Sequence, residues 1–551
     1  MVTTNPLSRR ALLLTAAVAL AAGACAAPGN TAGGGADTLV IGKTDAGTTY
    51  PRNFNVVGPA TQKTPGASLI YEPLVRTDYS DGATTKPWLA ESWEFSDGGA
   101  TLSFTIREGV TFSDDRPLTA DDVHFSLNLP LDQPQFNIAG VTYTAVEKVD
   151  DKTVAVHFAQ PAYSELNQFA NPQLPMVPKH IWADQDLNTW TNPDPVGTGP
   201  VTLASFSAQQ VTLATRADYW GGTPRMKTVK IIPTSQDAVK AQLLRGEVDW
   251  AATSWPGADK EYVAVDPEHH QYQQYATGRA YALVFNAART PFDDPALRRA
   301  LSLTIPRTDI VATLNRPGTE AGPTGLAEQV YGDWLKADYR DADPAIDVEG
   351  ARKALSDGGF TVENGALTKN GQSFTPTLSF NQDYGWGAYA DIIVNSWRKT
   401  FGLTVKTVGV PSVNLYEQQQ LGDFDLTVAE IGGPGVFATY AGFNSKYTKP
   451  LGQKAPANFG RFTDPDLDAA IQAMAGTDDE GRLKELAKDA QTVVVEQVPF
   501  APIYNSYWFI NINSKRWGGW PDPQDFDRVP FPDLGPDAAR TLLGLTPTGR
   551  K

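Results

Sequence analysis

The chain has 551 residues, a formal net charge of −16 and one cysteine. The acidic balance excludes a nucleic-acid partner, whose phosphates need a basic face, and reads as a solvated surface. One cysteine excludes an internal disulfide, so the fold rests on its core, and a chain long enough for two or three domains can bury one.

Arg9 and Arg10 precede an apolar run from Ala11 to Ala22, followed by Gly23-Ala24-Cys25. About a dozen apolar residues fall short of the roughly 20 needed to span a bilayer. They match the central part of a secretory signal over residues 1–24. The small residues before Cys25 resemble a bacterial lipobox, with Ala22 where that pattern usually has leucine. Cleavage there leaves Cys25 as a lipid-modified N-terminus. Ser8-Arg9-Arg10 with Leu12 and Leu13 also resembles a twin-arginine signal. Residues 25–37 are small and Gly-rich and read as a flexible tether. The expectation is an exported, extracytoplasmic protein, lipid-anchored to the outer face of the cell membrane in the periplasmic space without spanning it.

Beyond the tether, β-like runs alternate with capped helices. Thr38–Gly42 reads as the first strand, and Ala100–Ile106 and Thr153–Phe158 alternate as half-buried strands do. Thr119, with Asp122 three residues on, opens a helix through Val123, Phe125 and Leu127. Ser235 caps a helix running to Arg245 with Gly246 as its stop, and Gly246–Trp250 restarts as a strand. Asp294-Pro295 and Asp464-Pro465 each place an N-cap before proline at the first helical position, the second helix ending at Gly476. Strand and helix alternate again from Thr375 to Leu426. The pattern predicts an α/β fold of packed layers with mixed sheets.

Five segments carry a family resemblance. They are Leu89-Ala90-Glu91-Ser92-Trp93-Glu94; Pro117-Leu118-Thr119-Ala120-Asp121-Asp122-Val123; Gly197-Thr198-Gly199-Pro200 with Asp218-Tyr219-Trp220-Gly221-Gly222; Gly246-Glu247-Val248-Asp249; and Asn286 with Pro291-Phe292-Asp293-Asp294 and Arg298–Leu301. In this order they resemble the bacterial extracellular solute-binding proteins of family 5, the peptide, oligosaccharide and nickel type that serves ABC importers. The resemblance implies a two-lobed periplasmic-binding-protein-like fold with an extra subdomain in lobe I. Residues 38–50, 196–282 and 500–551 would build lobe I, 51–195 the extra subdomain and 283–499 lobe II, with crossings near Tyr281–Asn286 and Pro499–Tyr504. It further implies a monomer that captures an oligopeptide between closing lobes and delivers it to ABC permease subunits. The motifs themselves have sufficient local explanations in packing, turns and caps.

Ligands of open α/β sheets lie beyond the carboxyl ends of strands. That rule selects Ala251–Trp255, Asn381–Trp386, Glu430–Phe437 and the stretch holding Tyr504, Tyr507 and Trp508, all rich in aromatics or glycine. Aromatic faces line binding sites, and glycine lets backbone approach a ligand. The candidates are Trp255, Asn381, Tyr384, Trp386, Gly433, Val436, Phe437, Tyr504 and Trp508. Peptide-binding members of the family often carry an aspartate in the loop that here reads Gly432-Gly433-Pro434-Gly435, with Glu430 or Asp383 as substitutes. Asp266-Pro267-Glu268-His269-His270 and Trp517-Gly518-Gly519-Trp520-Pro521 resemble the β-oligosaccharide branch, which keeps a sugar ligand as the alternative.

No Gly-x-Ser-x-Gly, His-Glu-x-x-His or Cys-x-x-Cys is present. Gly42-Lys43-Thr44 lacks the first glycine of a phosphate loop, since position 37 is Asp37. His269-His270 reads as a solvated pair rather than a metal site. No cofactor, metal or catalytic residue is expected; a secreted hydrolase and a peptide-sensing receptor are the rival classes.

Overall fold

The computed structural model describes residues 37–549, apart from 45–48, 59–62, 81, 138, 315–317 and 343–344. The expected signal segment, Cys25 and all of the tether but Asp37 lie outside the described residues.

Ten strands share one sheet: β1 Thr38–Lys43, β2 Val201–Ser207, β3 Gln210–Thr215, β4 Thr228–Pro233, β5 Trp250–Ala252, β6 His270–Phe285, β7 Thr377–Asn381, β8 Lys406–Val410, β9 Leu426–Ile431 and β10 Phe500–Asn513. Their order is β8-β7-β9-β6-β10-β5-β1-β4-β3-β2. β6 and β10 have 16 and 14 residues, more than twice the usual strand, because each serves two half-sheets. Near His270–Ala276, β6 pairs with β10, which continues the sheet into β5. From Ala280 to Phe285 it pairs also with β9.

Strand direction places the crossing. β1 runs parallel to β4 and β5, and β7 runs parallel to β8 and β9. β5 is antiparallel to β10, β10 to β6 and β6 to β9, so the two parallel sets run toward each other. Ala252 ends opposite Ile510 and Ile431 opposite Ala280. Both sets therefore finish at the crossing, and their loops face each other there.

Separate cores hold the parts. Leu283, Leu301, Ile393, Trp397, Leu426 and Ile503 belong to one. Leu39, Ile231, Trp250 and Ile512 belong to another, which also takes Leu69, Tyr71, Trp182 and Leu187. A third takes residues from Leu74 to Met176, with Ala539 joining them, around a four-stranded sheet of 90–96, 101–106, 153–157 and 145–148.

Local chemistry sets the helix starts. Asp294 accepts the Ala296 N–H, and Asp464 those of Asp466 and Leu467. Asp122 accepts the N–H and the hydroxyl of Thr119 and takes the Lys179 N–H with its other oxygen. The Gly-Thr-Gly-Pro motif is a clamp: the buried Arg216 guanidinium donates to the carbonyls of Gly197, Thr198 and Gly199 and of Thr111 and Phe112. A Cβ at Gly197 or Gly199 would collide with the carbonyls of Ile70 and Leu69.

Two expectations shift. The strand expected over Gly246–Trp250 begins only at Trp250, because Gly246, at φ +70, and the turn after it still close the preceding helix. Tyr504, Tyr507 and Trp508 lie within β10 rather than in a loop, since that strand runs unbroken through the crossing.

Candidate functional site

Two cavities open at the crossing. The first holds about 700 Å³ and is lined by Tyr281, Asn381, Asp383, Trp386, Ser412, Tyr416, Glu430, Phe459 and Tyr504 among others. Trp386, only 2% exposed, stacks on Tyr504 at 5.7 Å and 17°, and Tyr281 tilts against both. Asn381, closing β7, accepts the Asp383 N–H and donates to Ser412 Oγ. Asp383 in turn accepts the Ser412 hydroxyl at 2.6 Å and its N–H at 3.0 Å, bonds that hold its carboxyl below the usual range. Asp383 is thus spent on tying two loops together. Glu430 meets Arg279 at 3.4 Å.

The second cavity holds about 560 Å³, lined by Arg76, Tyr79, Glu165, Asn167, Arg279, Pro434, Phe437, Trp508 and Asp537 among others. Trp508 meets Tyr79 edge to face at 5.1 Å. Asp537 is buried against the Val529 N–H at 3.3 Å and Arg540 at 3.4 Å. Burial pushes it up to about 7 against the pull of Arg540 and Arg76. Burial raises Glu165 as well, with Lys446 opposing. Burial would also raise Asp527, but the guanidinium groups of Arg540 and Arg76 hold it at about 2.

The structure thus brings Asn381, Trp386 and Tyr504 into one cavity and Phe437 and Trp508 into the other. Tyr384 lies in the turn beside Asn381. Gly433 and Val436 act behind the surface: the Tyr331 hydroxyl donates to the Gly433 carbonyl and accepts the Gly435 N–H, and Val436 packs in a core. Trp255 lines neither cavity. The loop after β5 folds back on the Gln236–Leu244 helix, burying Trp255 among Val239, Leu243 and Tyr262. His270 is likewise buried, stacked on Tyr262 at 4.3 Å, and not solvated as expected.

Arg76, Glu165, Arg279, Tyr281, Tyr416, Phe459 and Asp537 were not legible as site residues. Arg279 carried one signal, a charged residue between Gly278 and the apolar run Ala280–Phe285. Among the described residues no group of three or more His, Cys, Asp or Glu is placed to hold a metal ion. No described helix is long and apolar enough to cross a membrane.

Comparison with known proteins agrees with this architecture. Residues 84–451 match the family model for the middle part of the bacterial extracellular solute-binding proteins, family 5. Protein XP55 of Streptomyces lividans is 29% identical over 83% of this chain and 82% of its own length. The oligopeptide-binding protein AppA of Bacillus subtilis is 28% identical over 66% of this chain and 68% of its own. The structure of a periplasmic oligopeptide-binding protein of Thermotoga maritima superposes with a TM-score of 0.78 at 23% identity, covering 93% of this chain and 99% of that one. Its mannohexaose-bound form gives 0.73 at 23% identity over the same shares of the two chains. These neighbours are two-lobed periplasmic binding proteins, and so is this fold. The chain belongs to the bacterial extracellular solute-binding proteins, family 5.

Proposed function

We propose that this chain is the substrate-binding component of an ABC importer, capturing extracellular oligopeptides by closure of its lobes and delivering them to a membrane permease. Cys25 would carry the lipid that holds it at the outer face of the membrane. The observation that carries the reading is the pair of strands β6 and β10, which cross between two half-sheets whose loops face each other. Two crossing strands are a natural hinge, since a few residues can absorb the rotation while each side stays packed. On this reading the lobes divide as 38–50, 196–282 and 500–551 against 283–499, except that Ala501 and Ile503 at the start of β10 pack in the core of Leu283 and Leu426. The separate core over Leu74–Met176 supports an extra subdomain within 51–195. Asn381, Tyr384, Trp386, Phe437, Tyr504 and Trp508 would touch ligand, with Gly433 and Val436 shaping the loop behind.

Oligopeptides are favoured by the two relatives named for binding them. An oligosaccharide is the second reading, carried by the Trp386–Tyr504 stack with Tyr281, Tyr416 and Phe459 in one cavity and by the mannohexaose bound to a relative. Sugar ring faces pack well on such aromatic surfaces. A thermal-shift panel of peptides, cello-oligomers and manno-oligomers separates them. A ligand at a hundred times its Kd should add about 2.7 kcal/mol of stability and be recovered uncleaved. Stabilisation by sugars alone would overturn the peptide reading, and cleavage of any ligand would overturn the binding role.

A further inference from the structure

β6 does not pass through the crossing as a regular strand. Its register on β10 shifts between Ala276 and Ala280, so Thr277, Gly278 and Arg279 stand out of the ladder. The bulge is held in place. Thr277 Oγ1 accepts the Arg279 N–H and donates to the Ser506 carbonyl, each at 3.2 Å. Gly278 sits at φ +73, where a Cβ would stand 2.5 Å from the Tyr331 hydroxyl. On the other side, a Cβ at Gly432 would stand 3.2 Å from the Arg279 Cα. Bulges re-aim side chains, and this one places an arginine where both cavities meet: Arg279 lines the second and reaches Glu430, which lines the first.

The pairing of that arginine is loose. Its Nη1 lies 3.4 Å from Glu430 Oε2, and the two side chains are 45% and 33% exposed. Arg76, the other arginine of the cavity, is committed to Asp527 at 2.7 Å. Exposed ion pairs are weakly held, whereas a guanidinium fork binds a carboxylate through two parallel hydrogen bonds. The acids facing the same cavity oppose an anion less than ordinary carboxylates would, because burial raises both Glu165 and Asp537.

We propose that Arg279 binds a carboxylate of the ligand, exchanging Glu430 for it as the lobes close, and so selects ligands that carry one. The proposal rests on the crossing being the ligand cleft. Titration calorimetry on the full-length protein tests it with three probes: a pentapeptide free acid, the same peptide as its C-terminal amide, and cellopentaose. The free acid should bind at least tenfold tighter than the amide. Arg279→Gln should bring the acid down to the affinity of the amide, Arg279→Lys should restore part of the difference, and Glu430→Gln should tighten the acid. Equal binding of acid and amide to the unmodified protein would overturn the proposal, as would a preference that survives Arg279→Gln. Binding of cellopentaose alone would overturn the role of Arg279 and leave the importer-component reading standing with a sugar as its ligand. Binding of none of the three would overturn both.

Discussion

Asp537 shows how one carboxyl can report on the cleft. It lines the second cavity, is 3% exposed and, among the described residues, has two long hydrogen-bond partners for its carboxyl. Burial favours its protonated form, raising it from an ordinary value of 3.8 to about 7. The unfolded chain therefore loses this proton near pH 4 and the folded one near pH 7, so the folded state binds more protons between them. Stability at this site is full below about pH 4 and declines as pH rises toward 7, by about 1.4 kcal/mol per unit of displacement. Asp537→Asn should flatten that decline, measured by urea unfolding at pH 4, 5.5 and 7; an unchanged slope would refute the assignment. Nothing in the sequence around Asp537 announces this, because burial is set by packing against Val529 and Arg540 and not by neighbours in sequence. The same holds for Trp255 and Trp386. Both tryptophans follow strands, but the loop of one turns back into a core while the ring of the other meets Tyr504 at a cavity wall.

At the scale of elements, chemistry within a few residues was readable and chemistry across the chain was not. The starts at Ala120, Gln236, Pro295 and Pro465 follow from caps whose hydrogen-bond partners lie two or three residues away. The clamp on the Gly197–Pro200 turn needed the structure, since Arg216 gathers carbonyls from two separate segments. Removing it strands several buried acceptors at once, each costing about 1–3 kcal/mol. Arg216→Ala should therefore lose at least about 3 kcal/mol in urea unfolding, and Arg216→Lys should recover little, because an ammonium cannot span the same set of carbonyls. A loss below 1 kcal/mol would mean the clamp is incidental.

At the scale of the molecule, the motif order identified a two-lobed fold, while the crossing was placed by strand lengths that hydrophobic patterning does not reveal. Aromatic and polar residues from Tyr504 to Trp508 read as a loop because they face cavities, although they continue β10. Closure about the two crossing strands, as proposed, predicts a measurable change of size. A compact chain of this length has a radius of gyration of about 24 Å, and saturating ligand should lower it in small-angle scattering. A radius unchanged on saturation would contradict lobe closure.

The continuous sheet also governs how the molecule is made. β10 lies between β6 and β5, yet Val284 pairs with Phe500 and His270 with Asn513, partners more than two hundred residues apart. Until β10 has emerged, the sheet exists as two pieces, with the edges of β6 and β5 that face β10 unpaired. Such edges invite pairing with other chains, and contacts this distant in sequence form slowly. Truncation before Phe500 should therefore yield aggregates rather than one free lobe, and assembly of the nascent chain waits on β10, made long after the strands it joins.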